Sequence, residues 1–350
     1  MLRKSFLAVA AVLAAACAEI PEKDLLLFPV KQVADIPQAV ALSPEKAPVE
    51  PISPTVFLMN ACGDKLYTNA AFMASYCVDA YDLDSGEYLA GLCRSGRGPG
   101  EFVDAFPYSV KDGSLIVAEN GAGTVSEVSL AEDAFGDVLH RVRLQGPEEG
   151  ACPVVASAYK MAGEEVLVYN SIQAELGLVG LENPYYALYD WNSGEEKRPF
   201  RLFDAAPLAK APETGKAMAF DLHDCMDDAG TTLCFVMGKM PVFALLDIAS
   251  GEARGFRLKG GPAFSASMPQ NCFHAVCAQG EYIYALYGPD MKNAKTTLYK
   301  LDWEGNLLNK FLLDGLYVTC CATPDKLYLS GTGDNNMQVV AIYQLDINDL

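Results

Sequence analysis

One hairpin signal recurs along the chain at an interval that few folds can accommodate. A strand ending in Asp runs into a turn that contains Gly and then a charged residue, and the copies are Tyr81–Glu87, Tyr189–Glu195 and Leu246–Glu252, with looser copies at Tyr299–Asn306 and Tyr343–Asn348. Gly in such a turn supplies the positive φ that a short hairpin loop requires. The copies therefore predict a series of antiparallel hairpins.

A second strand signal accompanies the hairpins. Short runs of alternating apolar residues follow polar turns, and they begin at Lys65, Ser114, Glu165, Thr232, Tyr282 and Lys326. The intervals, counted between Leu66, Leu115, Leu167, Leu233, Ile283 and Leu327 within these runs, are 44 to 66 residues, which is near the length of a four-stranded propeller blade. No run outside the N-terminus has convincing helical periodicity. The sequence therefore predicts an all-β fold, a single six-bladed β-propeller over residues 24–350.

A propeller must also close its ring, and the last predicted blade has no room for a fourth strand after Tyr343. Residues 24–33 form an apolar segment that we expect to supply this closing strand from the N-terminus. The proline-rich residues 35–55 would then link that strand to the first blade.

The N-terminus has the three parts of a secretory signal peptide over residues 1–16. Arg3 and Lys4 are positive, residues 6–13 are apolar, and Ala14–Ala16 form a small-residue cleavage site before Cys17. The apolar stretch from residue 6 to residue 17 has only 12 residues, whereas a spanning helix needs about 20. We therefore expect a removed signal rather than a transmembrane anchor, with residues 17–23 as a tether.

A cysteine directly after the small residues resembles a bacterial lipobox, which implies that Cys17 becomes the lipidated N-terminal residue. Ala14 stands where that motif usually has Leu, and ordinary processing at the same bond would leave Cys17 unmodified. A cysteine at this place is unusual without a use, so we expect lipidation. Acyl chains would hold the protein on the bacterial outer membrane, facing either the periplasm or the surface.

The segment Ser95–Phe102, which follows the first hairpin, reads Ser-Gly-Arg-Gly-Pro-Gly-Glu-Phe. It resembles the Gly-x-Gly-Pro-Gly-Glu-Phe/Tyr signature of the TolB-like six-bladed propeller lipoproteins of Bacteroidetes. The resemblance covers the signal and the first blade closely and the other blades only as a pattern. It implies the fold and an envelope location, and it carries no catalytic residues to this chain.

The charge of the chain excludes one class of partner. The formal net charge is −19, and loss of Arg3 and Lys4 with the signal would make it −21. Nucleic-acid binding requires a basic surface and is therefore not expected. The sequence has no Gly-x-Ser-x-Gly elbow and no Walker-type loop, and we expect no cofactor and a monomeric chain.

Two loops carry candidate ligand-binding residues. Arg97 lies among glycines whose backbone amides could cradle an anion, although a tight inter-blade loop with Glu101 paired to Arg97 is the favoured interpretation. Residues 82–87 resemble a calcium loop. The equivalent positions in the other hairpins hold Asn192 and Ala249, so a plain hairpin turn is favoured there.

The segment His223-Asp224-Cys225 is the densest reactive cluster, and we place it on the innermost strand of blade four. Neighbouring residues on a strand point to opposite faces, so a Cys/His nucleophile pair is not favoured. We keep His223 and Asp224 as candidate binding residues. The histidines, His140, His223 and His274, are scattered and have no zinc-ligand spacing, so no metal site is predicted.

One disulfide can be placed by counting. If residues 84–86 form a three-residue loop, Leu83 faces Glu87 and Cys77 faces Cys93 across the hairpin. Cross-strand cysteines in an exported protein can bridge, and burial as small apolar side chains is the alternative.

The sequence therefore predicts a binding module that recognises a protein or a glycan of the cell envelope through loops at one face of the ring. The alternative is a lactonase- or lyase-like propeller enzyme with a metal in the central channel. Convergence of three or more carboxylate, amide or imidazole side chains near the axis would distinguish the enzyme from the binding module.

Mass spectrometry of the mature N-terminus tests the anchor. We expect a chain that begins at Cys17 and carries acyl groups, because the cysteine directly follows the cleavage site. A mature chain that begins at an unmodified Cys17 would instead indicate ordinary signal processing and a protein without a lipid tether.

Overall fold

The computed structural model describes residues 20–71, 74–119, 122–146, 154–171, 183–209, 211, 219–265, 272–290, 294–332 and 341–350. The predicted signal peptide of residues 1–16 and the lipidation site Cys17 lie outside these residues. Within the described part of the chain, no helix has the length and apolar character needed to cross a membrane. The regular structure consists of strands and short 3₁₀ turns at Glu22–Asp24, Glu132–Ala134, Ala206–Leu208 and Ile347–Asp349.

Three short strands open the chain, and four-stranded meanders follow. The opening strands are β1 (Val30–Val33), β2 (Val40–Leu42) and β3 (Glu45–Lys46). Blade 1 contains β4 (Met59–Cys62), β5 (Lys65–Asn69), β6 (Tyr76–Asp82) and β7 (Tyr88–Arg94). Blade 2 contains β8 (Tyr108–Lys111), β9 (Ser114–Glu119), β10 (Thr124–Ser129) and β11 (Val138–Arg143). Blade 3 contains β12 (Val155–Met161), β13 (Glu165–Asn170), β14 (Tyr185–Asp190) and β15 (Glu196–Phe200).

The second half of the ring repeats this pattern until the last blade. Blade 4 contains β16 (Leu222–Met226), β17 (Thr232–Met237), β18 (Val242–Asp247) and β19 (Ala253–Leu258). Blade 5 contains β20 (Phe273–Gln279), β21 (Tyr282–Asp290), β22 (Lys295–Asp302) and β23 (Leu307–Asp314). Blade 6 has only β24 (Leu316–Ala322), β25 (Lys326–Thr332) and β26 (Ala341–Asp346) from this part of the chain.

The predicted all-β, six-bladed propeller is confirmed. The predicted strand signals are the second strands of the blades, and each of these strands begins at the predicted residue. The Gly-containing hairpins join third to fourth strands in blades 1, 3, 4 and 5. The first strands contact one another around the axis and line a channel.

The predicted closing strand is wrong, although the ring is closed from the N-terminus. Residues 24–33 do not reach blade 6, because β1 pairs in parallel with the outer strand β19 of blade 4. The fourth strand of blade 6 is β3, which lies inside the predicted proline-rich link and pairs antiparallel with β26. Between them, β2 pairs in parallel with the outer strand β23 of blade 5. The apolar residues of 24–33 instead fill the seam between blades 3 and 4.

Residues 22–49, which we name the strap, therefore run around the outside of half the ring. Leu25 and Phe28 are buried with blade 3 and blade 4 side chains, and a Cβ at Gly255 would lie 2.7 Å from the Phe28 ring. Ion pairs also fix the strap at Glu22 and at Asp35. The carboxylate of Glu22 accepts from the Arg257 guanidinium at 2.6 Å, and Asp35 accepts from the Lys310 ammonium at 2.6 Å and the Tyr299 hydroxyl at 2.9 Å.

The hydrophobic core is divided among the seams between blades. Each seam between neighbouring blades holds its own cluster of buried residues in the described part of the chain. The last cluster joins blade 6 to blade 1 and includes Ala47, Val49 and Val56. Closure of the ring therefore depends on the same burial of apolar faces that holds every other pair of blades.

Hydrogen bonds also lock the outer strands of blades 2, 3 and 4 to the hairpin of the next blade. His140 of β11 donates to the Trp191 carbonyl at 2.7 Å, Arg198 of β15 donates to the Ala249 carbonyl at 2.7 Å, and Arg254 of β19 donates to the Trp303 carbonyl at 2.9 Å. Glycine allows the close approach, since a Cβ at Gly194 would lie 2.0 Å from the Arg143 carbonyl oxygen. The repeated turn glycine thus serves both the turn and the contact between blades.

A proline at position 47 tests the closing strand. The Ala47 amide donates to the Ile342 carbonyl at 2.9 Å, and proline would remove this donor beside a buried seam. We expect Ala47→Pro to lower the free energy of unfolding by roughly 2–4 kcal/mol, as measured by urea denaturation. Ala39→Pro is the matched control, because exposed Ala39 lies between strap strands. Equal stability of the two variants would contradict closure by β3.

Candidate functional site

A central channel runs between the first strands of the blades. Its volume is about 840 Å³, and residues of all six first strands line it. The first strands begin at the loop face, where connections such as residues 95–107 and 238–241 lie, and they end at the turn face, where the short hairpins lie. At the turn face, the Lys111 ammonium of blade 2 donates to the Asp228 carbonyl of blade 4 at 2.9 Å. This bond crosses that end of the channel.

β-bulges interrupt three of the first strands near the loop face. The register shifts around Ala156 in β12, His274 in β20 and Val318 in β24. A bulge leaves one residue unpaired and changes where its side chain points. Val318 is 48% exposed and lines the channel, so the bulge in β24 presents an apolar side chain to the entrance.

The predicted cluster His223-Asp224-Cys225 lies on β16, the innermost strand of blade 4, as the sequence indicates. The strand separates its members. Asp224 turns towards blade 3, where its carboxylate accepts from Ser157, Tyr159 and Tyr186 hydroxyls at 2.6, 2.8 and 2.7 Å. Cys225 packs into the seam with blade 5. The segment is therefore not a Cys/His nucleophile pair.

The surroundings of Asp224 define its chemistry. Burial raises the pKa of the Asp224 carboxyl above its usual range, and the hydroxyl donors partly offset that rise. Tyr186 belongs to a larger packed group, because its ring lies against that of Tyr169 with centroids 4.7 Å apart and planes tilted by 35°. Asp224 therefore joins blade 3 to blade 4 as a hydrogen-bonded carboxylate.

His223 and His274 lie on neighbouring first strands, while His140 lies far out on β11. The Nε2 of His274 donates to the Tyr317 carbonyl at 2.8 Å, which ties blade 5 to blade 6. Burial lowers the pKa of His274 to about 4, so the ring is neutral at physiological pH. Among the described residues, no group of three or more His, Cys, Asp or Glu side chains is placed to hold a metal ion.

The predicted anion cradle around Arg97 is already filled by the chain itself. The Gly98 amide donates to the Glu101 carboxylate at 2.7 Å, and a Cβ at Gly96 would lie 2.0 Å from the same carboxylate. The favoured interpretation as a tight loop is therefore correct, but Glu101 pairs with Arg94 at 3.5 Å rather than with Arg97. Arg97 is exposed on the loop face, and its role in binding stays a prediction.

Residues 82–87 form the turn of a hairpin rather than a calcium loop. The Asp82 carboxylate accepts from both the amide and the hydroxyl of Ser85 at 2.7 Å, and these bonds lower its pKa. Asp247 makes the same two bonds to Ser250 at 2.7 Å. The repeated aspartate therefore caps its own turn.

The predicted register of Cys77 opposite Cys93 is confirmed by the pairs on either side of it. The loop was predicted wrongly, because Asp82 rather than Leu83 pairs with Glu87. A bulge between residues 80 and 81 restores the register. Both cysteines are thiols in the structure, and the disulfide stays a prediction.

Apolar side chains occupy one side of the channel entrance. Phe57, Phe106 and Val318 line it from blades 1, 2 and 6, and Phe57 is 54% exposed. The Phe57 and Phe106 rings meet edge to face with centroids 5.2 Å apart. Exposed Asp221 and partly buried His223 line the opposite side. The entrance therefore has an apolar and a polar half.

Comparison with known proteins supports the fold. No protein-family model matches the chain, and no curated protein is significantly similar to it. A DUF4221-family protein from Bacteroides vulgatus has a similar structure, with 13% identity and a TM-score of 0.57 over 95% of this chain and 98% of the other. A Bacteroides fragilis protein whose name classes it as exported aligns with 10% identity and a TM-score of 0.51 over 91% of this chain and 99% of that one.

A third similar structure is regucalcin from Agrobacterium tumefaciens, a calcium-binding protein. It is 12% identical, with a TM-score of 0.52 over 88% of this chain and 95% of that chain. At such identities the similarity shows the fold alone. The chain is thus a six-bladed β-propeller whose structural neighbours include two Bacteroides proteins, one of which is named as exported.

Sequence reasoning missed the side chains that surround Asp224 and those that form the apolar entrance. Ser157, Tyr159 and Tyr186 come from another blade, and no local motif marks them. Phe57 follows the proline-rich segment, and Val318 is placed by a bulge that its own sequence does not signal. Only the ring geometry brings these residues to the channel.

Substitution of Asp224 separates a structural role from a binding role. We expect Asp224→Ala to cost about 2–4 kcal/mol in the free energy of unfolding, because it leaves buried hydroxyls without their acceptor. Asp224→Asn keeps one acceptor oxygen and should cost about 1 kcal/mol. Asp221→Ala, at the exposed entrance, is the control and should change stability little. Unchanged stability of Asp224→Ala in urea denaturation would argue against the role as a link between blades.

Proposed function

We propose that the chain is an exported, lipid-anchored binding protein of the TolB-like propeller class, whose loop face captures a protein partner over the channel entrance. The observation that carries the proposal is the exposure of Phe57 and Val318 beside an open channel. Exposed apolar side chains grouped at a concave site favour recognition of an apolar segment. The anchor would be Cys17 at the outer membrane.

The proposed binding site combines two kinds of surface. Phe57, Phe106 and Val318 would cover an apolar side chain of the partner, while Asp221 and His223 on the opposite side would accept or donate hydrogen bonds. A protein segment with one apolar and one polar side fits such an entrance. The net charge of −19 favours neutral or basic segments over acidic ones.

The enzyme alternative has less support from the arrangement of side chains. A metal-dependent lactonase or lyase needs several ligands that converge near the axis. The described first strands do not bring such a group together, and Asp224 is directed into the seam with blade 3. Recognition without chemistry therefore agrees best with the geometry.

Site-specific photo-crosslinking tests the proposal. A benzophenone amino acid in place of Phe57 should form an adduct with an envelope protein after illumination of intact cells. The same amino acid in place of Leu139 is the control, because Leu139 is 56% exposed but lies on the outer strand of blade 2. Val318→Asp should reduce the adduct at position 57 at least several-fold.

Two results would contradict the proposal. Equal adducts at positions 57 and 139 would mean that contact is not confined to the entrance. Absence of a protein adduct, together with glycan-array binding that Val318→Asp abolishes, would make a glycan the ligand in place of a protein.

A further inference from the structure

Cysteines are concentrated along the channel. Of the nine cysteines in the described part of the chain, five line the channel: Cys62, Cys225, Cys277, Cys320 and Cys321. They lie on first strands of blades 1, 4, 5 and 6. All nine are thiols in the structure. Cys62 is partly exposed, and the other four are buried in the seams that border the channel.

Cys277 and Cys320 meet across the seam between blades 5 and 6. The Cys320 thiol donates to the Tyr284 carbonyl at 3.9 Å, and Tyr284 is the cross-strand partner of Cys277. Both cysteines belong to the one buried cluster that fills this seam. The hydrogen bond between the Cys277 thiol as donor and the Cys320 sulfur, followed by burial, raises the pKa of the Cys277 thiol. The two thiols therefore lie in the same seam, on the two blades that it joins.

The adjacent Cys321 is directed elsewhere. Successive residues of a strand point to opposite faces, and Cys321 packs with Tyr328 and Ile342 in the seam between blades 6 and 1. The two cysteines of β24 thus face different neighbours. Only Cys320 faces Cys277, which makes Cys321 a matched control one residue away.

We propose that Cys277 and Cys320 form a disulfide that joins blade 5 to blade 6 when the protein meets a disulfide-bearing thiol oxidant. One thiolate attacks a sulfur of the oxidant, which forms a mixed disulfide and releases the oxidant's first thiolate. The second cysteine, after losing its proton, attacks the protein sulfur of the mixed disulfide and releases the oxidant's second thiolate. Two protein thiols are oxidised, and one disulfide of the oxidant is reduced to two thiols.

The bridge would act on the blade that closes the ring. Blade 6 depends for its fourth strand on β3, which has two residues. A covalent bond between positions 277 and 320, which are 43 residues apart, would limit the freedom of the unfolded chain. It would hold blade 6 to blade 5 independently of the strap.

Oxidation of the purified full chain with oxidised glutathione tests the proposal. The reaction is run at pH 8.5, because a raised thiol pKa leaves little thiolate at neutral pH. Free thiols are then blocked with iodoacetamide, and the chain is digested without reduction for mass spectrometry. We expect a linked peptide that contains Cys277 and Cys320 in the wild type and in Cys321→Ser, and its absence in Cys320→Ser and Cys277→Ser.

Thermal unfolding provides a second measurement. Oxidation should raise the midpoint temperature of thermal unfolding of the wild type and of Cys321→Ser by several degrees, and dithiothreitol should reverse this rise. Cys320→Ser should show no such rise. Circular dichroism establishes that each variant is folded, and Cys320→Ala replaces Cys320→Ser if the hydroxyl disturbs the seam.

Three results would overturn the proposal. Alkylation of both cysteines after oxidation would show that they do not react. A link from Cys277 to Cys225, or glutathione retained on Cys277, would show that Cys320 is not the partner. These results concern thiols in the absence of any ligand, so they leave the proposed recognition of a protein untouched.

Discussion

The structure depends on burial of the apolar faces of its thin sheets. A single blade can bury these faces only by packing against the neighbouring blades. Six such seams must all be filled, and a ring with one open seam would expose a whole sheet face. Blade 6 closes the ring with only two paired residues of β3. Each hydrogen bond between β3 and β26 contributes about 1 kcal/mol to stability. Burial of a side chain such as Leu25, Phe28 or Val49 contributes roughly 1.5–3 kcal/mol. The strap is therefore held mainly by its apolar side chains.

The polar residues that suggested chemistry are largely occupied in holding blades together. Carbonyls of the next blade accept hydrogen bonds from His140, Arg198 and Arg254. Asp224 accepts hydrogen bonds from hydroxyls of the preceding blade. The bonds to Asp224 satisfy hydroxyls that the seam would otherwise bury without partners. The proposed recognition is assigned to the loop face, where apolar side chains border the channel.

The repeating hairpins made much of the fold predictable. Turn glycines and alternating apolar runs are local signals, so the second strands of the blades were placed correctly from Lys65 to Lys326. The closing strand was misplaced because apolar character alone suggested residues 24–33. The actual strand at Glu45–Lys46 is short and exposed, and its sequence resembles a linker. The site around Asp224 could not be predicted, since its donors come from another blade.

By itself, the sequence determined that the chain forms thin antiparallel sheets in a six-fold series, because turn chemistry and period-two patterning act within a few residues. The pairing of Cys77 with Cys93 was predicted from a loop that proved wrong, and the structure restores this register with a bulge between residues 80 and 81 that the sequence does not signal. Only the tertiary structure decided which seam each apolar segment fills, which blade receives β3, and which side chains meet at the channel. These outcomes depend on contacts between residues far apart in the chain, and such contacts arise only when the ring closes.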